Sequence, residues 1–362
     1  MTSRETNSPS PLRRGACLRW LLALVLSLGL TSTVRNLLAR EQPPKPFEFS
    51  LTRMGTFFRI TLYAANQTEA SKPAMAAFER VEQLEDLLSA HRQDSEVVRL
   101  SRAAVLVPRP VSQDLFYVLD KSLQISRLSG GAFDVTIGPL VDLWREARRT
   151  KRLPRTTEIA KAKAAVDYRN IELDSQGRTV LLRRKDMKLD LGAIAKGYAA
   201  DQALDLLKSC GIQSALIDAG GDITLGAAPP GKAGWKIAID DPSPQGKEAP
   251  CTLVLHDVAI ATSGDARQAV EVNGLRYSHI IDPANGMGLQ DSGSATVIAP
   301  DGITADALAT ALSVLPVPEG LRLVESIEGA AAYIVRRTGG EWRHFSSRRF
   351  PQECNDIRKR GN

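Results

Sequence analysis

Two hydrophobic rhythms alternate along this chain. In "FEFSLTRMGTFFRITLYA" apolar and polar positions change places residue by residue around Met54 and Gly55, which predicts two strands joined by a turn. Ala74, Ala77, Phe78, Val81, Leu84 and Leu88 then recur at helical spacing and predict an amphipathic helix with Pro73 near its start. A second helix is expected after Ser112 as N-cap, ending at Gly130 and Gly131. "RTVLLRRKDMKLDL" reads as strands, and the helix after Asp190 is expected to run to Cys210 with Gly211 as its stop.

The remaining pattern is shorter in period. "SALIDAGGDITLG", "GWKIAID", "CTLVLHDVAIATSG", "RYSHIIDP" and "SATVIAP" read as short strands separated by Gly, Pro and Asp turns, and the last helices start near Thr304 and Glu319. Strands and helices mix without a regular βαβ rhythm, so the expected fold class is α+β, not a doubly wound sheet. After the proline-bearing linker 41–46 no repeat or low-complexity break interrupts the chain, and one domain is expected over 47–350 with a polar tail at 351–362.

Composition narrows the partners. With 362 residues, 43% hydrophobic and 24% charged, the chain is long enough to bury a sizeable globular core. Its 47 Lys and Arg exceed 41 Asp and Glu, which suits an anionic ligand or a membrane surface. The basic stretch from Trp144 to Val166 is expected to be a solvated face, since no aromatic side chains interleave with its charges, and nucleic acid is set aside. Residues 1–40 hold arginines before an apolar run from Trp20 to about Leu30, too short for a comfortable span and suited to a secretory signal or an uncleaved membrane anchor. Arg13 and Arg14 weakly match a twin-arginine signal, and Cys17 precedes the apolar run, against a lipoprotein. Cys210, Cys251 and Cys354 are widely spaced without a CxxC pair, so neither a disulfide framework nor a zinc site is expected, and Cys210 reads as a small core residue.

Four glycine-marked polar stretches are candidates for chemistry: "GGAFDVTIG", "DLGAIAKGYAAD", "DAGGDITLG" and "TSGDARQAVEVNGLRYSHIIDPANG". None is a phosphate, nucleophile-elbow or zinc fingerprint by itself. Asp306 and Thr310 stand four residues apart on one helical face, with Leu308, Ala311, Leu312 and Leu315 opposite them. Such a pair is either a helix-start aspartate with a back-bonded threonine or two hard oxygen ligands for Mg²⁺. His279, at the end of a strand beside Asp282 and Pro283, is either structural or a general base for an alcohol.

Seven motifs in order, "MGTFFRITLY", "GGAFDVTIGPLVDLW", "LDLGAIAKGYAADQA", "DAGGDITLG", "ATSGD", "SHIIDPANG" and "ADALATAL", resemble the ApbE family of FAD:protein FMN transferases over about Met54 to Leu315. The resemblance implies a Mg²⁺-dependent enzyme that splits FAD, transfers FMN to a Thr or Ser hydroxyl of a protein carrying D-x-x-[ST]-G-A-T, and releases AMP. Carried over by position, Ala193, Asp306 and Thr310 would hold the metal. Met54, Ala132, Phe133, Asp134, Asp190, Lys196, Ile280 and Ile281 would contact FAD, with His279 near the accepting hydroxyl. The family often has an aromatic residue after the TSGD turn, where this chain has Ala266, and another near His91 in "SAHRQDS", so the resemblance implies looser packing about the flavin or adenine ring. Hydrolysis of FAD to FMN and AMP, or flavin binding without turnover, are the alternatives. The expected location is outside the cytoplasm, as a periplasmic protein or one anchored to the inner membrane.

Overall fold

In the computed structural model of the chain the described residues are 2, 43–243, 251–264, 269–272, 275–290 and 293–352. The apolar run before Leu30, Ala266 and Cys354 lie outside them. Every element below belongs to the unit that begins at Lys45.

The first alternating stretch folds as read. β1 (Lys45–Arg53) and β2 (Thr56–Ala64) pair antiparallel in unbroken register from Lys45↔Ala64 to Arg53↔Thr56. The turn needs two left-handed residues, Met54 at φ 50° and Gly55 at φ 72°, a geometry whose twist matches a two-residue hairpin. α1 (Gln67–Leu88) buries all six of the expected apolar positions. It starts well ahead of Pro73, which lies inside it, because Asn66 caps the helix by accepting from the Glu69 amide at 3.0 Å. α2 (Glu96–Ala103) and α3 (Gln113–Leu128) follow, and Ser112 caps α3 as expected. Gly130 and Gly131, at φ 62° and 90°, turn the chain out of α3.

β3 (Arg109–Pro110), β4 (Ile171–Asp174) and β5 (Thr179–Leu182) make a small sheet around α4 (Gly138–Thr150) and α5 (Thr156–Lys163) in sequence. The basic stretch forms α4 and α5, whose Arg145 and Arg149 face water while Trp144 is fully buried. Only Thr179–Leu182 of "RTVLLRRKDMKLDL" is strand. Its charged continuation pairs instead with the loop before α4, through an Ile137↔Lys188 bridge and the Asp190 amide donating to the Val135 carbonyl at 2.8 Å.

α6 (Ala195–Ser209) begins after a turn at Leu191–Ile194, not directly after Asp190. Beyond it come β6 (Ala215–Ala219), β7 (Ile223–Leu225), β8 (Trp235–Ala238), β9 (Thr252–Leu255), β10 (Ala259–Gly264), β11 (Ala269–Val272), β12 (Leu275–Ser278) and β13 (Gly293–Ala299). α7 (Gly302–Val314), α8 (Val317–Glu325), β14 (Ala331–Thr338) and β15 (Glu341–Ser346) complete the chain. Eight strands form one antiparallel sheet in the order β1-β2-β6-β7-β10-β13-β14-β15. Helices cover one face of this sheet and the β8–β9 hairpin shields part of the other, so all seven residues of β13 are buried. The class is α+β.

α6 packs on β6 and β7, α7 on β10 and β13, and the two helices touch each other. α7 is buried on nearly all sides, which corrects the expected two-faced helix: its small residues let it sink between sheet and neighbouring helices. Cys210 is exposed at the C-cap of α6, and Cys251 is disulfide-bonded, so both cysteine expectations are corrected. A disulfide pairs cysteines through space and needs no CxxC spacing along the chain. Among the described residues no helix is long and apolar enough to cross a membrane.

Candidate active site

The centre of the site is set by a glycine. Gly197, in the first turn of α6, lies so close to α7 that an added Cβ would stand 2.1 Å from the Gly302 carbonyl oxygen and 2.9 Å from the Asp306 Cβ. At that separation the Gly197 amide donates to Asp306 Oδ2 at 3.1 Å. Lys196, one residue earlier, reaches the same oxygen at 3.5 Å and forms a shorter ion pair with Asp222. Asp222 stands after the left-handed pair Gly220 and Gly221, at φ 71° and 105°, which aims it back toward α6.

Electrostatics follow from burial. The Asp306 and Asp222 side chains are 4% and 10% exposed, against 30% for Lys196. Burial works against the Lys196 ammonium, yet Asp306 and Asp222 outweigh it and hold its pKa above the ordinary lysine value. Burial also pushes the Asp222 carboxyl up, the Asp306 charge adds to this, and Lys196 pulls it back.

Thr310 lies one turn beyond Asp306, and its hydroxyl meets Ser263 Oγ of β10 at 3.3 Å. The expected pair therefore shares one face, and "ATSGD" supplies a third oxygen. Ala193 is half-buried in the turn leading into α6, beside the Asp190 carboxylate that accepts from the Gly192 amide at 2.9 Å. Lys196 is paired with Asp222 and Asp306; Asp190 instead closes this turn. Among the described residues no three His, Cys, Asp or Glu side chains gather as a metal-binding group. The available set is one aspartate, hydroxyls and backbone carbonyls, all hard oxygen donors of the kind Mg²⁺ takes.

The other expected residues join this centre through neighbouring segments. Met54 is half-buried at the hairpin turn, and Thr56, two residues on, packs directly on Gly220 ahead of Asp222. Ala132 is half-buried, Phe133 is core, and the Asp134 carboxylate accepts from the Thr136 amide and hydroxyl and the Tyr168 amide at 2.7–2.9 Å. Burial raises the pKa of Asp134, and its donors counter that only in part. The structure thus makes Asp134 a knot that fixes the loop beside Asp190. Ile280 and Ile281 are buried just past β12, which ends at Ser278 and so stops short of the strand expected through them, with Ile281 bridged to Gly288. That segment docks on α4, where Trp144 Nε1 donates to the Gly286 carbonyl at 2.8 Å. His279 opens it and is half-buried. His91 is exposed in the loop before α2.

Asp222, Ser263 and Asp201 are absent from the sequence-derived set although each lies inside a quoted motif. The signal available for Asp222 was the double glycine before it. A separate cleft of about 680 Å³ runs along the flank of α6 between Arg80, Asp114, Tyr117, Tyr198, Asp205 and Asp301. It borders Asp201 and Thr224 but none of the sequence-predicted site residues, so the chemistry is assigned to the Lys196 cluster and not to this cleft.

Comparison with known proteins bears on this geometry. The chain is 32% identical over 332 residues to the FAD:protein FMN transferase of Vibrio cholerae, covering 91% of this chain and 97% of that protein. It is 33% identical over 297 residues to the FAD:protein FMN transferase of Treponema pallidum, covering 78% and 82%. Among solved structures, the flavin transferase ApbE from Vibrio cholerae superposes with a TM-score of 0.76 at 30% identity, covering 85% of this chain and 99% of that one. The profile of the ApbE family matches residues 54–334, from the hairpin turn through the Lys196, Asp222 and Asp306 cluster to β14, and the chain belongs to the ApbE family.

Proposed function

We propose that this protein is an FAD:protein FMN transferase, which moves FMN from FAD to a Thr or Ser hydroxyl of an acceptor protein and releases AMP. The observation that carries the reading is the Lys196 ammonium held between Asp222 and Asp306 where α6 and α7 meet. A cation and hard oxygens gathered beside a helix start suit a diphosphate and its counter-ion. Relatives bearing this activity align with the chain over most of its length.

In the proposed reaction the acceptor oxygen attacks the FMN-side phosphorus, the bond from that phosphorus to the bridging oxygen breaks, and AMP leaves with the bridging oxygen. His279 takes the hydroxyl proton. Lys196 offsets charge on the diphosphate, and the tight turn at Asp190 orients the nucleotide beside the start of α6. The residues fit Mg²⁺, which Asp306, Thr310 and the Ala193 carbonyl would hold. Such an ion neutralises charge developing on phosphate oxygens. Met54, the 132–134 loop and the 280–281 segment frame the flavin nucleotide.

The acceptor is proposed to carry D-x-x-[ST]-G-A-T and to be an exported membrane redox subunit. Export of this chain rests on the arginine-flanked apolar run before Leu30 and on the disulfide at Cys251, a bond that persists in oxidising compartments. Incubating the protein with FAD, Mg²⁺ and a peptide of that pattern tests the reading. A flavinylated peptide with AMP supports it; free FMN with AMP indicates a pyrophosphatase, and unchanged FAD a binding protein.

A further inference from the structure

Asp201 lies on α6, five residues beyond Lys196, and its carboxylate is spent on other elements. Oδ1 accepts from the Gly302 amide at 2.7 Å and from the Thr224 hydroxyl at 3.1 Å, and Oδ2 accepts from the Ile303 amide at 2.9 Å. Gly302 and Ile303 are the first two residues of α7, whose first turn already has a local cap: Asp301 accepts from the Thr304 amide at 2.9 Å. A second carboxylate from a different helix is not needed to start α7. What it adds is registry.

The same three elements bear the charged cluster. α7 carries Asp306 and Thr310, α6 carries Lys196, and Thr224 of β7 lies two residues beyond Asp222, which directly precedes that strand. Small residues make the tether possible. A Cβ on Gly302 would fall 2.7 Å from Asp201 Oδ1, 2.7 Å from the Thr224 hydroxyl and 2.6 Å from the Gly197 carbonyl oxygen. Asp201 therefore clamps one end of the α6–α7 contact, and the Gly197–Asp306 hydrogen bond lies one turn of α6 away at the other.

We propose that Asp201 is a positioning residue, which fixes α7 against α6 and β7 so that Asp306 and Thr310 meet Lys196 and Asp222 in the geometry that holds the metal and the diphosphate. This rests on the flavin-transferase reading, and the effect sought is on ion affinity before any chemistry. Supporting groups of this kind alter metal affinity by about 10–100-fold when removed.

The test uses the folded protein with FAD and compares wild type, Asp201→Asn, Thr224→Val and Thr224→Ser. Asn keeps the volume but places an amide donor against an N–H of α7. Mn²⁺ binding, followed by magnetic resonance of the free ion without acceptor peptide, is expected to weaken about 10–100-fold in Asp201→Asn. Thr224→Val should weaken it less, and Thr224→Ser, which keeps the hydroxyl, should restore wild-type affinity. Thermal melting is recorded in parallel. A lower melting temperature with unchanged Mn²⁺ affinity in Asp201→Asn makes the residue a plain helix cap and overturns the proposal. If that variant does not fold, the Thr224 pair decides, and equal Mn²⁺ affinity in Val and Ser variants overturns it. A wild-type protein that binds Mn²⁺ and FAD yet never labels the peptide instead defeats the transferase reading.

Discussion

Gly197 donates its backbone N–H to Asp306 Oδ2 at 3.1 Å across a helix contact that leaves no room for a side chain. Gly197→Ala would set a Cβ 2.1 Å from the Gly302 carbonyl oxygen, which is backbone and cannot swing away. α6 and α7 must separate, at a cost of about 1–3 kcal/mol for overpacking. The expected outcome is a melting temperature lower by several degrees and a larger loss of flavinylation than stability alone explains. Wild-type activity at a temperature where the variant is fully folded would refute the claim that this contact sets the site.

Asp306→Asn keeps the shape and removes the charge. Its carboxylate is 4% exposed, faces Lys196 and the Gly197 amide, and is the anionic member of the expected ligand set. Peptide flavinylation is expected to vanish at limiting Mg²⁺ while circular dichroism remains that of wild type. Retained transfer at limiting Mg²⁺ would sink the metal assignment.

His279 separates proton transfer from binding. If it accepts the proton of the acceptor hydroxyl, His279→Ala lowers turnover by roughly 10²–10⁴-fold with FAD affinity near normal. A rate rescued by excess FAD would remove it from the catalytic list, because packing against the nucleotide acts on affinity alone.

Asp201 also predicts a pH effect on stability. Burial pushes its carboxyl up to about 7, opposed by the Ile303 and Gly302 amides and the Thr224 hydroxyl, with Asp301 adding to the rise. Asp205, Asp120 and Tyr117 border the same cleft. The unfolded chain releases this proton near pH 4, so between there and about 7 the folded state holds more protons, and this group's contribution falls as pH rises. From about pH 5 to about pH 8 the melting temperature of wild type should therefore drop relative to Asp201→Asn. Parallel curves would show that the carboxyl titrates at its ordinary value.

Local physics made much of this protein legible from its residues. Two-residue alternation on either side of Met54 and Gly55 marked the first hairpin, and Gly55 readily takes the left-handed conformation that its tight turn uses. The helical spacing from Ala74 to Leu88 dictated the buried stripe of α1. The i,i+4 placement of Asp306 and Thr310 put both oxygens on one face before any partner was known.

Tertiary structure decided whom those groups meet. "DLGAIAKG" presents Asp190 and Lys196 together, yet the lysine pairs with Asp222 and Asp306, 26 and 110 residues away, while Asp190 closes its own turn. α7 reads as a helix with one apolar face but is buried nearly all round, since its depth is set by Gly197 and Gly302 in the contact and by sheet strands β10 and β13 beneath. The disulfide at Cys251 likewise left no trace in local spacing. Periodicity and turn chemistry act over a few residues and can be read along the chain. Ion pairs, close helix contacts and disulfides join segments far apart in sequence, and only the folded sheet, which lays β7 and β10 under α6 and α7, brings them within reach.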